Sequence, residues 1–180
     1  GSKWAAFDNA HRPSTVSSGE FKPSCGTGFY GRMWVGGVAE SKDILYYSSL
    51  LDADDFRTTP ENSSSNGGFI SLRSVWGTDE IISIAPFYGQ LVIFGKNNIV
   101  IYSNPSSISN MALNEVIKGV GCVARDSIQS IGDDLIFLSS TGLRSLARTS
   151  EKDKVPLIDY SVNIKDTLIR NIGQSTAVKS

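Results

Sequence analysis

One histidine, His11, and two cysteines, Cys25 and Cys122, are the only imidazole and thiol groups that 180 residues supply. A lone histidine excludes a multi-histidine metal centre. A Ser-His-Asp triad would have to run through His11, and the sequence holds no G-x-S-x-G elbow to meet it. His11 therefore reads as a structural or solvent-exposed residue. The cysteines are too far apart for a C-x-x-C site, and two buried thiols in a reducing environment are expected rather than a disulfide. A dominant charge is missing as well: 17 basic residues face 18 acidic ones, for a net charge of −1. No broad cationic field exists to hold nucleic acid or an anionic membrane surface. No apolar run approaches the roughly 18 residues needed to cross a bilayer, and the start lacks the basic and apolar regions of a signal peptide. The opening Gly1-Ser2 reads as an expression scar, so an excerpt of a longer protein is expected. No catalytic, cofactor-binding or metal-binding residue is assigned on these grounds, and no cofactor is implied.

What the sequence does have is punctuation. Seventeen glycines, with many Ser and Asn, break the chain into short apolar runs, the pattern of tight turns between strands. From Phe29, Phe29-Tyr30-Gly31 is a turn feeding the apolar stretch Arg32 to Gly37, which pairs with Asp43 to Ser48 as a hairpin. The phrase returns as Ile84 to Gly95, a polar loop at Lys96 to Asn98, and Ile99 to Ser103. A third copy runs from Ile128 to Ser139 and, past Gly142, continues through Leu143 to Leu146. Superimposing Gly31, Gly89 and Asp133 brings the three into register. Their spacings of 58 and 44 residues are close to the roughly 40–50-residue period of propeller blades, the first being lengthened by the polar loop at Asn62 to Gly68. Leu91 to Phe94 and Leu135 to Leu138 are apolar at every position, so both faces of those strands should be covered. Blades packed between neighbouring blades meet that requirement.

The expected fold is all-β, a propeller-like array of about three to four blades with one short C-terminal helix. Residues 1–28 form an irregular arm and residues 29–155 the blades. Residues 156–180 form a short helix and a frayed tail, because Ile164, Leu168 and Ile172 recur at helical spacing between Ser161 as N-cap and Gly173 as stop. Propellers usually need four to eight blades. The array is thus expected to be either an arc completed elsewhere or a compact stack of sheets.

Several motifs invite a chemical reading. Gly26-Thr27-Gly28-Phe29-Tyr30-Gly31 matches G-x-G-x-x-G, but a phosphate cradle needs a strand before it and a helix after it. Pro23 lies upstream and an apolar strand follows, so it reads as a turn. Asp52 to Asp55 collects carboxylates, yet Arg57 and Ser63 stand where an EF-hand needs Gly and Glu; a solvated turn with Phe56 packed inward is expected. Asp133 and Asp134, adjacent on an extended chain, point to opposite faces and cannot act jointly. Arg32, Arg125, Arg144 and Arg148 lack the aromatic interleaving of a single-strand platform and read as partners for Asp and Glu between blades or subunits. Asn62-Ser63-Ser64 is a formal sequon in a polar loop.

Gly31 to Gly37 followed by Ile44 to Phe56 resembles the central region of the tail nozzle proteins of short-tailed bacteriophages, also called tail tubular protein B or packaged-DNA stabilisation proteins. The likeness continues through Ile82 to Ser103, Ile117 to Cys122, Ser127-Ile128 and Leu135 to Leu138, spanning roughly residues 29 to 148. The motifs are strand and turn phrases; their order and spacing carry the resemblance. It implies a non-enzymatic virion subunit, made in the host cytoplasm, that assembles as a hexameric ring below the portal and adaptor. Tail fibres or spikes attach nearby, and DNA passes through the channel in passive contact. Parents of that family are several times longer. The competing expectation is a glycan-binding or glycan-cleaving propeller, suggested by Trp4, Trp34, Trp76 and the Asp52 to Asp55 loop. A kelch or WD scaffold lacks its Gly-His and Trp-Asp signatures here.

Overall fold

The computed structural model describes residues 12–14, 16, 21–58, 65–146 and 170. Trp4, His11, Asn62, Arg148 and the helix expected around Ile164 to Ile172 lie outside these residues, apart from Arg170, which is helical and exposed. Eleven strands form three antiparallel meanders, an all-β, propeller-like architecture. The first sheet is β1 (Cys25–Phe29), β2 (Arg32–Gly36), β3 (Ile44–Tyr47) and β4 (Gly68–Ser71). One helical turn, α1 (Arg73–Trp76), leads to the second sheet: β5 (Ile81–Phe87), β6 (Gln90–Gly95), β7 (Asn98–Ser103) and β8 (Ala112–Lys118). The third contains β9 (Gln129–Ile131), β10 (Asp134–Ser139) and β11 (Gly142–Ser145).

Each sheet opens with a two-residue hairpin turn, and the turn chemistry follows from φ. Tyr30-Gly31 and Tyr88-Gly89 have positive φ at both positions (48° and 70°, 46° and 73°), as a type I′ turn requires. In Gly132-Asp133 only the glycine does, at 58°, the pattern of type II′. Gly31, Gly89 and Asp133 are thus the second turn residue in each sheet, the register anticipated from the sequence. The strand ahead of the first turn was not anticipated: Cys25–Phe29 pairs fully with β2. Gly26 to Gly31 is therefore a strand plus the first half of a hairpin, rather than a turn alone. Its glycines conceal it because β1 is an edge strand, where side-chain packing makes less demand on composition.

The second sheet supplies the middle layer. Alternation along a strand sends Leu91 and Ile93 of β6 and Val100 and Tyr102 of β7 toward the first sheet, where they meet Trp34, Leu45 and Leu72. Val92, Phe94, Ile99 and Ile101 go the other way, onto Leu135, Phe137, Cys122 and Leu146. A run apolar at every position is thus divided between two cores. Sheets one and two approach so closely at Gly36 that a Cβ there would lie 2.8 Å from Ile81. A third cluster covers the outer face of the first sheet, where Val16, Phe21 and Phe56 pack on Val35, Val38 and Tyr46.

On β10 the expectation holds for one face only. Leu135 and Phe137 are buried against the middle layer, whereas Ile136 and Leu138, pointing the opposite way, are half-buried. The third sheet is the last described layer, so its outer face has no fourth sheet against it among the described residues.

Phe94 is fully buried and its ring lies 5.1 Å from that of Phe137. Phe94→Ala is expected to lower unfolding stability by about 3–5 kcal/mol in chemical denaturation. A loss below about 1 kcal/mol would contradict a packed layer at this position.

Candidate functional site

The first strands of the three sheets converge, and their unpaired edges enclose a cleft of about 470 Å³. Its walls come from Ser24 to Thr27, Ser83 to Pro86, and Arg125, Asp126, Ile128 and Gln129. β5 shows why these residues can stand at an inner edge. With Tyr88-Gly89 as the turn, Phe87 and Gln90 form the bonded pair, so position 86 directs its amide position away from β6. Pro86 has no N–H to lose there. Opposite, Gly26 and Gly28 hold the equivalent non-bonded positions of β1.

Arg125, in the 3-10 turn Arg125–Ser127, reaches across the cleft and donates to the Ser24 carbonyl, which ties the third sheet's entry to the first. This corrects the reading of Arg125 as a partner for a carboxylate, since its bond is to the main chain. Arg32 is buried within the first sheet, donating to the carbonyls of Ser48 (2.5 Å), Asn66 (2.9 Å) and Ser65 (3.4 Å), with its guanidinium 5.4 Å from the Tyr47 ring centre. Burial lowers its pKa, the neighbouring Tyr47 opposing. It organises the loop after β3 from inside. Arg144 of β11 donates to the hydroxyl of Thr141, in the turn just ahead of that strand.

Cys25 sits behind the cleft wall. Burial pushes its thiol from 9.0 up to about 11, outweighing the charge of Arg125, the Gly36 amide and the Ser24 hydroxyl. Cys122, in the other core, is also shifted up by burial, and both thiols are free. The cleft thus offers hydrogen-bonding groups: the hydroxyls of Ser24, Thr27 and Ser83, the Gln129 carboxamide, one cation and one anion.

A second cleft of about 460 Å³ lies at the end of the array opposite the hairpin turns. There Glu80 joins Lys42 (3.0 Å) and Lys96 (3.7 Å), Asp43 pairs with Arg73 (3.2 Å), and Asp79 accepts from the Asn97 amide and the Asn98 side chain. The Lys42 hydrogen bond holds Glu80 below the usual carboxylate range. Opposite charges are matched one against another, so this end presents a neutralised surface.

The other sequence candidates separate. Trp34 is fully buried, donating from Nε1 to the Phe29 carbonyl (3.2 Å), and Trp76, the last residue of α1, is buried. Neither can serve as a sugar platform. Asp52 and Asp54 are exposed, Asp55 is held below the usual carboxylate range by the Arg57 hydrogen bond, and Phe56 is buried as anticipated. Asp134 accepts from the Ser145 hydroxyl while Asp133 sits in the turn facing Tyr88, so the two carboxylates diverge. Among the described residues no group of three His, Cys, Asp or Glu is placed to hold a metal ion. The cleft was not legible beforehand because its walls lie up to about a hundred residues apart in the chain and meet only through three edge strands. No family model matches the chain, and no curated protein matches it.

Cys25 is expected to resist thiol reagents at pH 8 in the native protein and to react fully in denaturant. Its raised pKa favours the protonated folded state, so the contribution is complete below pH 9 and is lost as pH rises toward 11. The slope is at most about 1.4 kcal/mol per pH unit. Denaturation series at pH 8, 9.5 and 11 on the parent and on Cys25→Ala check this; the parent should lose the larger share, and parallel losses would contradict it.

Proposed function

We propose that this chain is a structural module of a virion tail, a blade array of the tail-nozzle kind that helps to build the channel retaining and releasing genomic DNA. The observation that carries the reading is the coincidence of phrase and fold. The stretches resembling nozzle proteins, Arg32 to Gly36, Ile44 to Tyr47, Ile82 to Ser103 and Leu135 to Leu138, are strands of stacked sheets whose leading segments line one cleft. In such a particle the protein would form a hexameric ring bound to the tail adaptor, with fibres or spikes docked nearby. Whether three sheets close or form an arc completed by further blades is part of the same proposal.

The role asks the wall to let DNA slide. A surface that neutralised many phosphates would release counterions and hold the duplex. Net charge of −1 and the matched pairs around Glu80 and Asp43 support weak, passive contact.

Expressed from its native reading frame with a short-tailed phage adaptor and imaged by electron microscopy, the protein should form six-fold rings. Particles without rotational symmetry would overturn the proposal. On immobilised duplex DNA at about 50 mM salt the chain should elute without retention. Tight binding that falls by about 10³ or more between 50 and 200 mM salt would show a phosphate-neutralising surface instead.

A further inference from the structure

The hairpin-turn end of the array differs from the charged end. Among the exposed large hydrophobics are Tyr30, Leu50, Leu51, Tyr88 and Ile131, and all five stand there. They are contiguous. The side chains of Leu51 and Leu50 lie 3.1 and 3.3 Å from where a Gly31 Cβ would be, and the Tyr30 hydroxyl 3.5 Å from where a Gly89 Cβ would be. Tyr88, next along, meets Asp133 of the third turn, whose hydrogen bond and charge raise the phenol's pKa. Ile131 enters that same turn. The tyrosine rings pack tilted or edge-on against their predecessors, Phe29 at 4.3 Å and Phe87 at 4.5 Å. One ridge therefore crosses the ends of all three sheets.

Its backbone is costly. Among the described residues, the non-glycine residues with positive φ are Tyr30, Leu51, Tyr88 and Asn104, so three of those four are ridge residues. Asn or Gly would occupy those positions with less strain. Leu51 is the extreme case, 86 % exposed with φ at 61°, held by its amide bonding the Gly31 carbonyl at 2.7 Å. A bulky apolar side chain kept in an unfavourable conformation and in water does little for the fold. Strain of this sort collects at functional sites, and rigid tyrosines are the residues that anchor protein interfaces.

Charge selects the occupant. Exposed Asp52 and Asp54 follow Leu51 at one end, and exposed Asp133 stands beside Tyr88 at the other. We infer that this ridge is a docking surface for a polypeptide segment whose apolar centre is flanked on both sides by lysine or arginine. The apolar groups would cover Leu51, Tyr30 and Tyr88, and the cations would meet Asp52, Asp54 and Asp133. The inference holds whether or not the chain belongs to a virion tail.

The test uses a fluorescein-labelled peptide of leucines flanked by lysines at both ends, with the same peptide carrying glutamates in place of the lysines as control, in anisotropy titrations against the full chain. The lysine peptide should bind and the glutamate peptide should not. Leu51→Gly and Tyr88→Asn should each weaken binding at least about tenfold, with Tm unchanged or raised because both replacements suit a left-handed φ. Amide-resolved NMR of the unaltered protein should place the perturbed signals at Tyr30, Leu51, Tyr88 and Ile131. No binding by the lysine peptide, equal binding by both peptides, perturbations elsewhere, or variants with lowered Tm would each overturn the inference. So would self-association in sedimentation velocity that Leu51→Gly abolishes, since the occupant would then be a second copy.

Discussion

Alternate side chains of β6 and β7 enter two different cores, and the remaining layers are positioned by that division. Leu91, Ile93 and Val100 on one face, and Val92, Phe94 and Ile99 on the other, are all completely buried. Each is worth roughly 1.5–3 kcal/mol of burial, but only if a sheet lies on both sides. A two-sheet sandwich would leave half of them in water. Three stacked meanders are the smallest arrangement that satisfies the middle sheet, and stacking through shared faces is what brings the leading segments together around one cleft.

Clefts and ridge follow from the same geometry. A meander has two ends and two edges; once the faces are consumed by packing, only these remain to meet solvent or partners. The inner edges supply that cleft, with Pro86, Gly26 and Gly28 where ladder bonds are not required. One end sets Lys42 and Lys96 against Glu80 and Arg73 against Asp43, and the other presents aromatic and aliphatic side chains on tight turns. The two ends thus differ in chemistry although the sheets they terminate repeat one pattern.

The sequence disclosed what depends on local patterning. Three hairpins, their common register, the inward Phe56 and the buried, unpaired cysteines were all legible, because turn residues and uninterrupted apolar runs mark them directly. β1 was hidden by its glycines, and β8 by a mixed composition, Ala112 to Lys118, suited to an outer strand with one face in water. The cleft escaped notice because no local signal links Ser24, Ser83 and Arg125. The ridge did so because Tyr-Gly is not among the dipeptides that announce a type I′ turn. The partner of Arg125 was misjudged for a related reason: sequence shows which cations are present, whereas the carbonyl this one reaches depends on where the chain returns.

Hydrogen exchange resolved to single amides tests the three-layer arrangement most directly. If the middle sheet is buried on both faces, the amides of Val92 to Phe94 and Ile99 to Ile101 should exchange only through global unfolding, with a free energy equal to that from denaturant titration. The amides of β9 should open at lower cost. Protection in β6 and β7 no greater than in β9 would contradict the account.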